Sequence, residues 1–124
     1  MDKFQALHSF WSSFAWDAID EQSSYEKHFD PPDKYITYEA AVDSFDSACF
    51  IGADLWHRSL SWAEISQKAE EISEYIGRGG VMIPYTGGAL WITRGAPFAQ
   101  RMAAETTEDV RRIHLNINAE YLSA

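Results

Sequence analysis

A single cysteine, Cys49, stands in the 124 residues, so no internal disulfide is possible and nothing points to an oxidising compartment. Cations are scarce: ten Lys and Arg against nineteen Asp and Glu leave a net charge of −9, which opposes direct binding of nucleic-acid phosphates. No apolar run approaches the ~20 residues of a membrane span, so no membrane partner is expected. The start, Met-Asp-Lys-Phe-Gln, lacks the basic-then-apolar plan of a signal peptide, and a cytosolic product is expected. Repeats and low-complexity segments are also missing. What is present is apolar: 46% hydrophobic and 15% aromatic content excludes general disorder and supplies a core for one domain over 1–124.

The charge is unevenly placed. Residues 1–57 carry eleven acids and three bases, whereas 58–124 carry eight acids and seven bases. Such an acidic first half serves solubility in the plainest reading. Two functional readings stand beside it, a mimic of DNA and a surface that must not adhere to nearby nucleic acid.

Phe4, Leu7, Trp11 and Phe14 follow 3-4-3 spacing, widened by Phe10 and Ala18, and predict a helix over 2–20. Residues 20–34 form a polar connection ended by Pro31-Pro32. Strand formers from Tyr35 to Val42 and from Ala48 to His57, separated by the turn Asp43–Ser47, predict a hairpin. In its second strand Cys49, Ile51, Ala53 and Leu55 face one way, and Phe50, Asp54, Trp56 and Arg58 the other. Gly52 marks a bulge or a close approach there. Ser61-Trp-Ala-Glu64 fits a capping box with Leu60 and Ile65 as its hydrophobic staple, opening a helix over 62–76 that Gly77 ends. Its stripe is Trp62, Ile65, Ala69, Ile72 and Ile76.

Next comes Val81–Arg94. With Gly87-Gly88 as a two-residue turn, Tyr85 lies opposite Leu90 and Ile83 opposite Ile92. Met82 with Thr93 and Pro84 with Trp91 take the other face, and Pro84 belongs on an edge. Residues 95–107 read as an irregular arm. From Val110 to Leu122 the residues Ile113, Leu115, Ile117, Ala119 and Tyr121 alternate strictly with polar ones, which predicts a long strand with one wet face. The expected class is α+β: a mostly antiparallel sheet of four or five strands, the 62–76 helix across one face and the N-terminal helix beside it.

Enzyme signatures are thin. His8, His28, His57 and His114 are scattered without metal-ligand spacing, and no cofactor or metal is expected. Gly77-Arg-Gly-Gly80 lacks the Lys-Ser/Thr of a phosphate loop and precedes a strand. Cys49 falls on an apolar face and reads as inert. Glu70, Glu71 and Glu74 lie off the apolar stripe of the second helix and read as solvated. Asp54 and His57 point to opposite faces of one strand. The reading is therefore not an enzyme; a small enzyme assembled from scattered residues is the outlying alternative. Interface-prone types are better supplied: Trp56, Arg58, Trp91, Arg94, Phe98, Arg101 and Met102. For Trp91 and Phe98 the plainer reading is core, but Phe98 and Met102 sit on an aperiodic arm, which favours an interface.

Three runs carry a resemblance: Leu55-Trp-His-Arg-Ser-Leu-Ser-Trp-Ala-Glu-Ile65, Gly88-Ala-Leu-Trp-Ile-Thr-Arg-Gly-Ala-Pro-Phe-Ala-Gln-Arg-Met102 and Val110-Arg-Arg-Ile-His-Leu-Asn-Ile-Asn-Ala-Glu-Tyr-Leu122. With the element order over about 1–122, they resemble the tail terminator type of tail-completion (neck) protein in long-tailed bacteriophages. The 20–34 connection has no counterpart in the resemblance. It implies a non-enzymatic virion protein, made in the host cytoplasm, that forms a homo-oligomeric, hexameric ring. The implied partners are the tail tube protein, the head-completion or stopper protein of the neck, and double-stranded DNA passing through the lumen without sequence-specific binding. Trp91, Arg94, Phe98, Arg101 and Met102 are the expected contacts to neighbours. The alternative is an acidic phage-encoded inhibitor that mimics DNA against a host nucleic-acid-binding protein.

Overall fold

The computed structural model describes residues 1–25, 30–41, 48–103 and 109–123. Its elements are α1 (Lys3–Ser12), β1 (Asp17–Asp20), a 3-10 turn (Ser23–Tyr25), β2 (Lys34–Tyr38), β3 (Ala48–Arg58), α2 (Ala63–Ile76), β4 (Val81–Tyr85), β5 (Gly88–Met102) and β6 (Val110–Ser123). The class is α+β. The strands form one six-stranded mixed sheet in the order β1-β2-β3-β6-β5-β4, parallel only between β1 and β2.

Strand β6 is central, with a backbone partner along each edge, while its alternation gives it one buried face. It pairs with β3 from Ala48↔Glu120 to Arg58↔Val110 and with most of β5. Ile113, Leu115, Ile117, Ala119 and Tyr121 are all buried, each large side chain contributing ~1.5–3 kcal/mol on removal from water. They meet Ile51, Ala53 and Leu55 of β3 and Leu90 and Ile92 of β5 in one core. Ile65, Ala69, Ile72 and Ile76 of α2 close that core, as their spacing requires. Helix α1 packs against both edge strands, β1 and β4, so the sheet curls around it. Phe10 and Phe14 touch Tyr75 of α2, with ring centroids 6.3 and 5.3 Å apart, which sets the two helices side by side.

Six strands stand where four or five were expected, because the predicted 2–20 helix is two elements. The helix ends at Ser12, where Ser13 turns its hydroxyl back to the Ser9 carbonyl at 2.9 Å. Ala15 then takes φ 65°, which no right-handed helix accommodates. Beyond it Asp17–Asp20 runs extended beside β2, so Ala18 belongs to a strand. Phe4 is 54% exposed, and the buried face is Ala6, Leu7, Phe10 and Trp11. The reciprocal capping box sits on this helix, between Asp2 and Gln5.

The box expected at Ser61–Glu64 does not form. Ser61 Oγ accepts from the Ala63 amide at 3.1 Å, Trp62 precedes the first helical residue, and Leu60 is 73% exposed, so it staples nothing. The Glu64 carboxylate is drawn away by Lys34 and His57. Gly77 does end α2 with a positive φ of 69°. The first predicted strand stops at Tyr38, not Val42, and pairs antiparallel with β3 as expected. The Asp43–Ser47 turn lies outside the described residues, as does His28.

Tyr38 and Tyr121 sit in this core with hydroxyls on His8 Nδ1 (2.8 Å) and the Ala41 carbonyl (3.1 Å). Burial pushes both phenols up, Tyr38 to about 12 from an ordinary 10.0. A raised folded value stabilises the protein fully below pH 10 and is lost as pH rises from 10 toward 12. Spectrophotometric titration should therefore show tyrosines resisting ionisation above pH 10, and unfolding should set in within that window.

Candidate interaction surface

Glycine chemistry positions β5. The turn at the β4–β5 hairpin is Thr86-Gly87, with Gly87 at φ 96°, and Tyr85 pairs with Gly88, not Leu90. Gly88 is withheld from the turn because a Cβ there would stand 1.8 Å from the Leu122 carbonyl oxygen. The register is thus two residues from the expected one, which leaves every side chain on its expected face. Pro84 lies on the edge strand, as its missing N–H demands.

The irregular arm expected over 95–107 is strand as far as Met102, with one break. Pairing passes from Arg94↔Ile117 to Ala99↔Leu115. Gly95 allows Asn116 to approach, since a Cβ would meet its carbonyl oxygen at 2.7 Å. Where the ladder is interrupted, side-chain amides substitute: Asn116 Nδ2 donates to the Pro97 carbonyl (3.1 Å) and Asn118 Nδ2 to that of Arg94 (3.3 Å). The Ala96–Pro97 peptide is cis.

The five expected contact residues fall into two groups. Trp91, opposite Met82 and Glu120, and Met102, opposite Arg112, occupy the sheet face that carries no helix; they are 37% and 39% exposed. Arg94, Phe98 and Arg101 lie toward α2. Arg94 Nη1 donates to Ser73 Oγ at 3.0 Å, and Phe98 packs half-buried against the core. Phe98 and Arg101 line an open groove of about 300 Å³ with Ser66, Ala69, Glu70 and Ile113. The Arg101 guanidinium lies 4.8 Å from the Trp62 ring centroid, and that of Arg111 5.3 Å from the same ring.

One property unites the arm. Strand β4 covers β5 only as far as Ile92, and β6 takes the other side. Among the described residues no other backbone group pairs with Gly95–Met102, so β5 ends as an unpaired sheet edge. From Tyr75 to Ala104 the chain contains no acid, but it contains Arg78, Arg94 and Arg101.

The helix-free face also holds a network that the sequence reading missed. Asp54 Oδ1 accepts from Arg112 Nε at 2.9 Å and lies 3.0 Å from His114 Nδ1, while His114 Nε2 is 3.2 Å from Asn116 Oδ1. Arg112 covers the Trp56 ring at 5.1 Å; Trp56 stacks on Tyr35 at 5.9 Å and donates through Nε1 to Thr37 Oγ1 at 2.9 Å. Gly52 makes no bulge. It is small because Glu39 Oε1 and His114 Cε1 would stand 2.7 and 2.8 Å from a Cβ. Alternation had placed Asp54 and Trp56 on one face, and the final strand's polar residues on its wet side. Only the Asp54↔His114 register joins the two sets.

On the opposite face, buried His57 has Nε2 3.4 Å from Glu64 Oε2. Lys34 bonds the other Glu64 oxygen; this bond, with lesser attraction from His57 and Lys68, holds the Glu64 carboxyl below its usual range. Asp54 and His57 do point apart, each paired elsewhere. Cys49 is half-buried with its thiol toward the Ala119 carbonyl at 3.5 Å. Among the described residues no three His, Cys, Asp or Glu side chains converge as a metal site would require, and no helix is long and apolar enough to cross a membrane. In comparisons with known proteins the chain matches no family model and no curated protein.

Proposed function

We propose that this chain is a non-enzymatic structural subunit of a tailed-phage virion. It forms a ring, hexameric by the resemblance, that caps the tail tube and joins it to the head–neck connector. The observation that carries the reading is the unpaired edge of β5, bearing Phe98, Arg101 and Met102 beyond the cover of β4. Monomeric proteins shorten, charge, kink or cover such edges. Pro97, the arginines and the break after Arg94 blunt this one in part, but the stretch beyond Ile92 keeps a backbone edge flanked by Phe98 and Met102, which suits a protein built to be joined to others. On the helix-free face the Asp54 carboxylate is engaged by Arg112 and His114. A net charge of −9 suits a lumen through which DNA slides without adhering.

The second reading, an acidic inhibitor that mimics DNA, draws on the eleven acids of residues 1–57. Native mass measurement of the protein, alone and with polymerised tail-tube protein from the flanking genes, separates the two. Rings on tubes are expected, and Phe98→Ala with Arg101→Ala should weaken them. Because Phe98 packs half-buried against the core, the unfolding midpoint should fall with it, while Arg101→Ala alone should weaken rings with little change in midpoint. A persistent monomer that ignores tubes but blocks a DNA-binding enzyme would sink the ring.

A further inference from the structure

Resting on the ring reading, we propose which two surfaces meet in it: the open edge of β5 in one copy docks along the acidic β1 edge of a second copy. Strand β1 ends the sheet on one side; on the other side β4 ends it, and β5 becomes the edge only beyond Ile92. Arg94 and Arg101 beside the β5 edge are exposed, and among the described residues neither forms an ion pair with a carboxylate. An open groove of about 630 Å³ lies between α1 and β1, lined by His8 and Ser12 of the helix and by residues 15–19, Asp30 and Pro32. Asp17 and Asp30 belong to its lining, both exposed and both without a cation within ion-pair distance among the described residues.

Charge selects the pairing. Two β5 edges brought together oppose arginine with arginine, and two β1 grooves oppose aspartate with aspartate. Only edge to groove places unlike charges in contact, and complementarity of this kind fixes register and rejects wrong partners. The backbone supports the same choice. Among the described residues the outward side of β1 has no backbone partner, so the β5 edge can extend the sheet of the next copy by strand addition. A contact between unlike surfaces is heterologous, the type of contact from which a ring is built when the rotation between copies closes. The acid-free segment 75–104 and the acidic first half of the chain thereby acquire one common explanation.

The test is sedimentation velocity over a concentration series at low ionic strength, alone and with polymerised tube protein. It compares wild type with two charge-reversed proteins, Arg94→Glu with Arg101→Glu and Asp17→Lys with Asp30→Lys. Wild type should assemble, and added salt should weaken it. Each reversed protein alone should lose assembly by at least ~100-fold in dissociation constant, since like charges then face each other. An equimolar mixture should recover complexes of wild-type size, because every junction in an alternating ring again joins unlike charges. Assembly of either reversed protein at wild-type concentrations would overturn the contact while leaving the ring intact, and so would a mixture of folded variants that stays dissociated. Wild type monomeric in every arm would overturn the ring and this contact together. Should reversal prevent folding, judged by circular dichroism, the neutral pairs Arg94→Gln with Arg101→Gln and Asp17→Asn with Asp30→Asn replace it. Each should then weaken assembly, and no weakening overturns the contact.

Discussion

Gly88→Ala is expected to destabilise the protein by about 3 kcal/mol, the upper end for an overpacked site. The added methyl would stand 1.8 Å from the Leu122 carbonyl oxygen and 3.0 Å from its carbon, and both are backbone atoms that no rotamer change can move. Strands β5 and β6 must therefore separate locally, where Gly88 faces Ser123 and Ala89 faces Leu122. Tyr85, whose hydroxyl reaches the same Leu122 carbonyl at 3.4 Å, is disturbed with them. The matched control is Gly79→Ala, where a Cβ meets nothing within 4 Å; it should stay within about 0.5 kcal/mol of wild type. Urea unfolding of the two proteins checks the contrast. Equal midpoints would mean that the close approach of β6 does not constrain position 88.

Trp11→Ala should cost about 3–5 kcal/mol, a large part of the ~5–15 kcal/mol that separates folded from unfolded states in a domain. Trp11 is fully buried, meets Phe10 edge-on at 4.8 Å and lies over Tyr38 at 6.4 Å. Its removal opens a cavity between α1 and the sheet that neighbouring rings fill only in part. Because the indole Nε1 is buried without a hydrogen-bond partner, Trp11→Phe deletes an unsatisfied donor along with part of the ring, and its cost should be clearly smaller. Thermal unfolding of both variants supplies the measurement. A loss under 1 kcal/mol for Trp11→Ala would show that α1 is not anchored through this side chain.

Legibility followed periodicity. The alternation of Ile113 to Tyr121 specified β6 and its buried face almost to the residue, and Ile65, Ala69, Ile72 and Ile76 did the same for α2. What failed was local chemistry with a tertiary competitor. Ser61 and Glu64 carry the capping-box pattern, yet Lys34 and His57, distant in sequence, hold the Glu64 carboxylate. Gly87-Gly88 is a fair turn pair until the Leu122 carbonyl claims the space beside Gly88. The Phe4-to-Ala18 stripe concealed a break that Ser12-Ser13 only hinted at, because short strands such as Asp17–Asp20 carry almost no periodic signal. Among the site residues, alternation separated Trp91 from its neighbours correctly. The division of Arg94, Phe98 and Arg101 from Met102 depended on the break around Asn116, which no residue spacing announces.

The embrace of α1 by the two sheet edges has a temporal side. Thr86 donates its amide to the Met1 carbonyl at 2.8 Å, so α1 is closed off only by a strand pair that emerges some eighty residues after it. At ~5–20 residues per second of synthesis, the side chains of Leu7, Phe10 and Trp11 wait several seconds without their final partners. Contacts spanning so much chain also slow folding itself, because loop closure precedes their reward. Nascent-chain stalling at successive lengths would follow this order directly: because the β4–β5 hairpin joins the sheet only through β6, α1 should become protected only after β6 has left the tunnel.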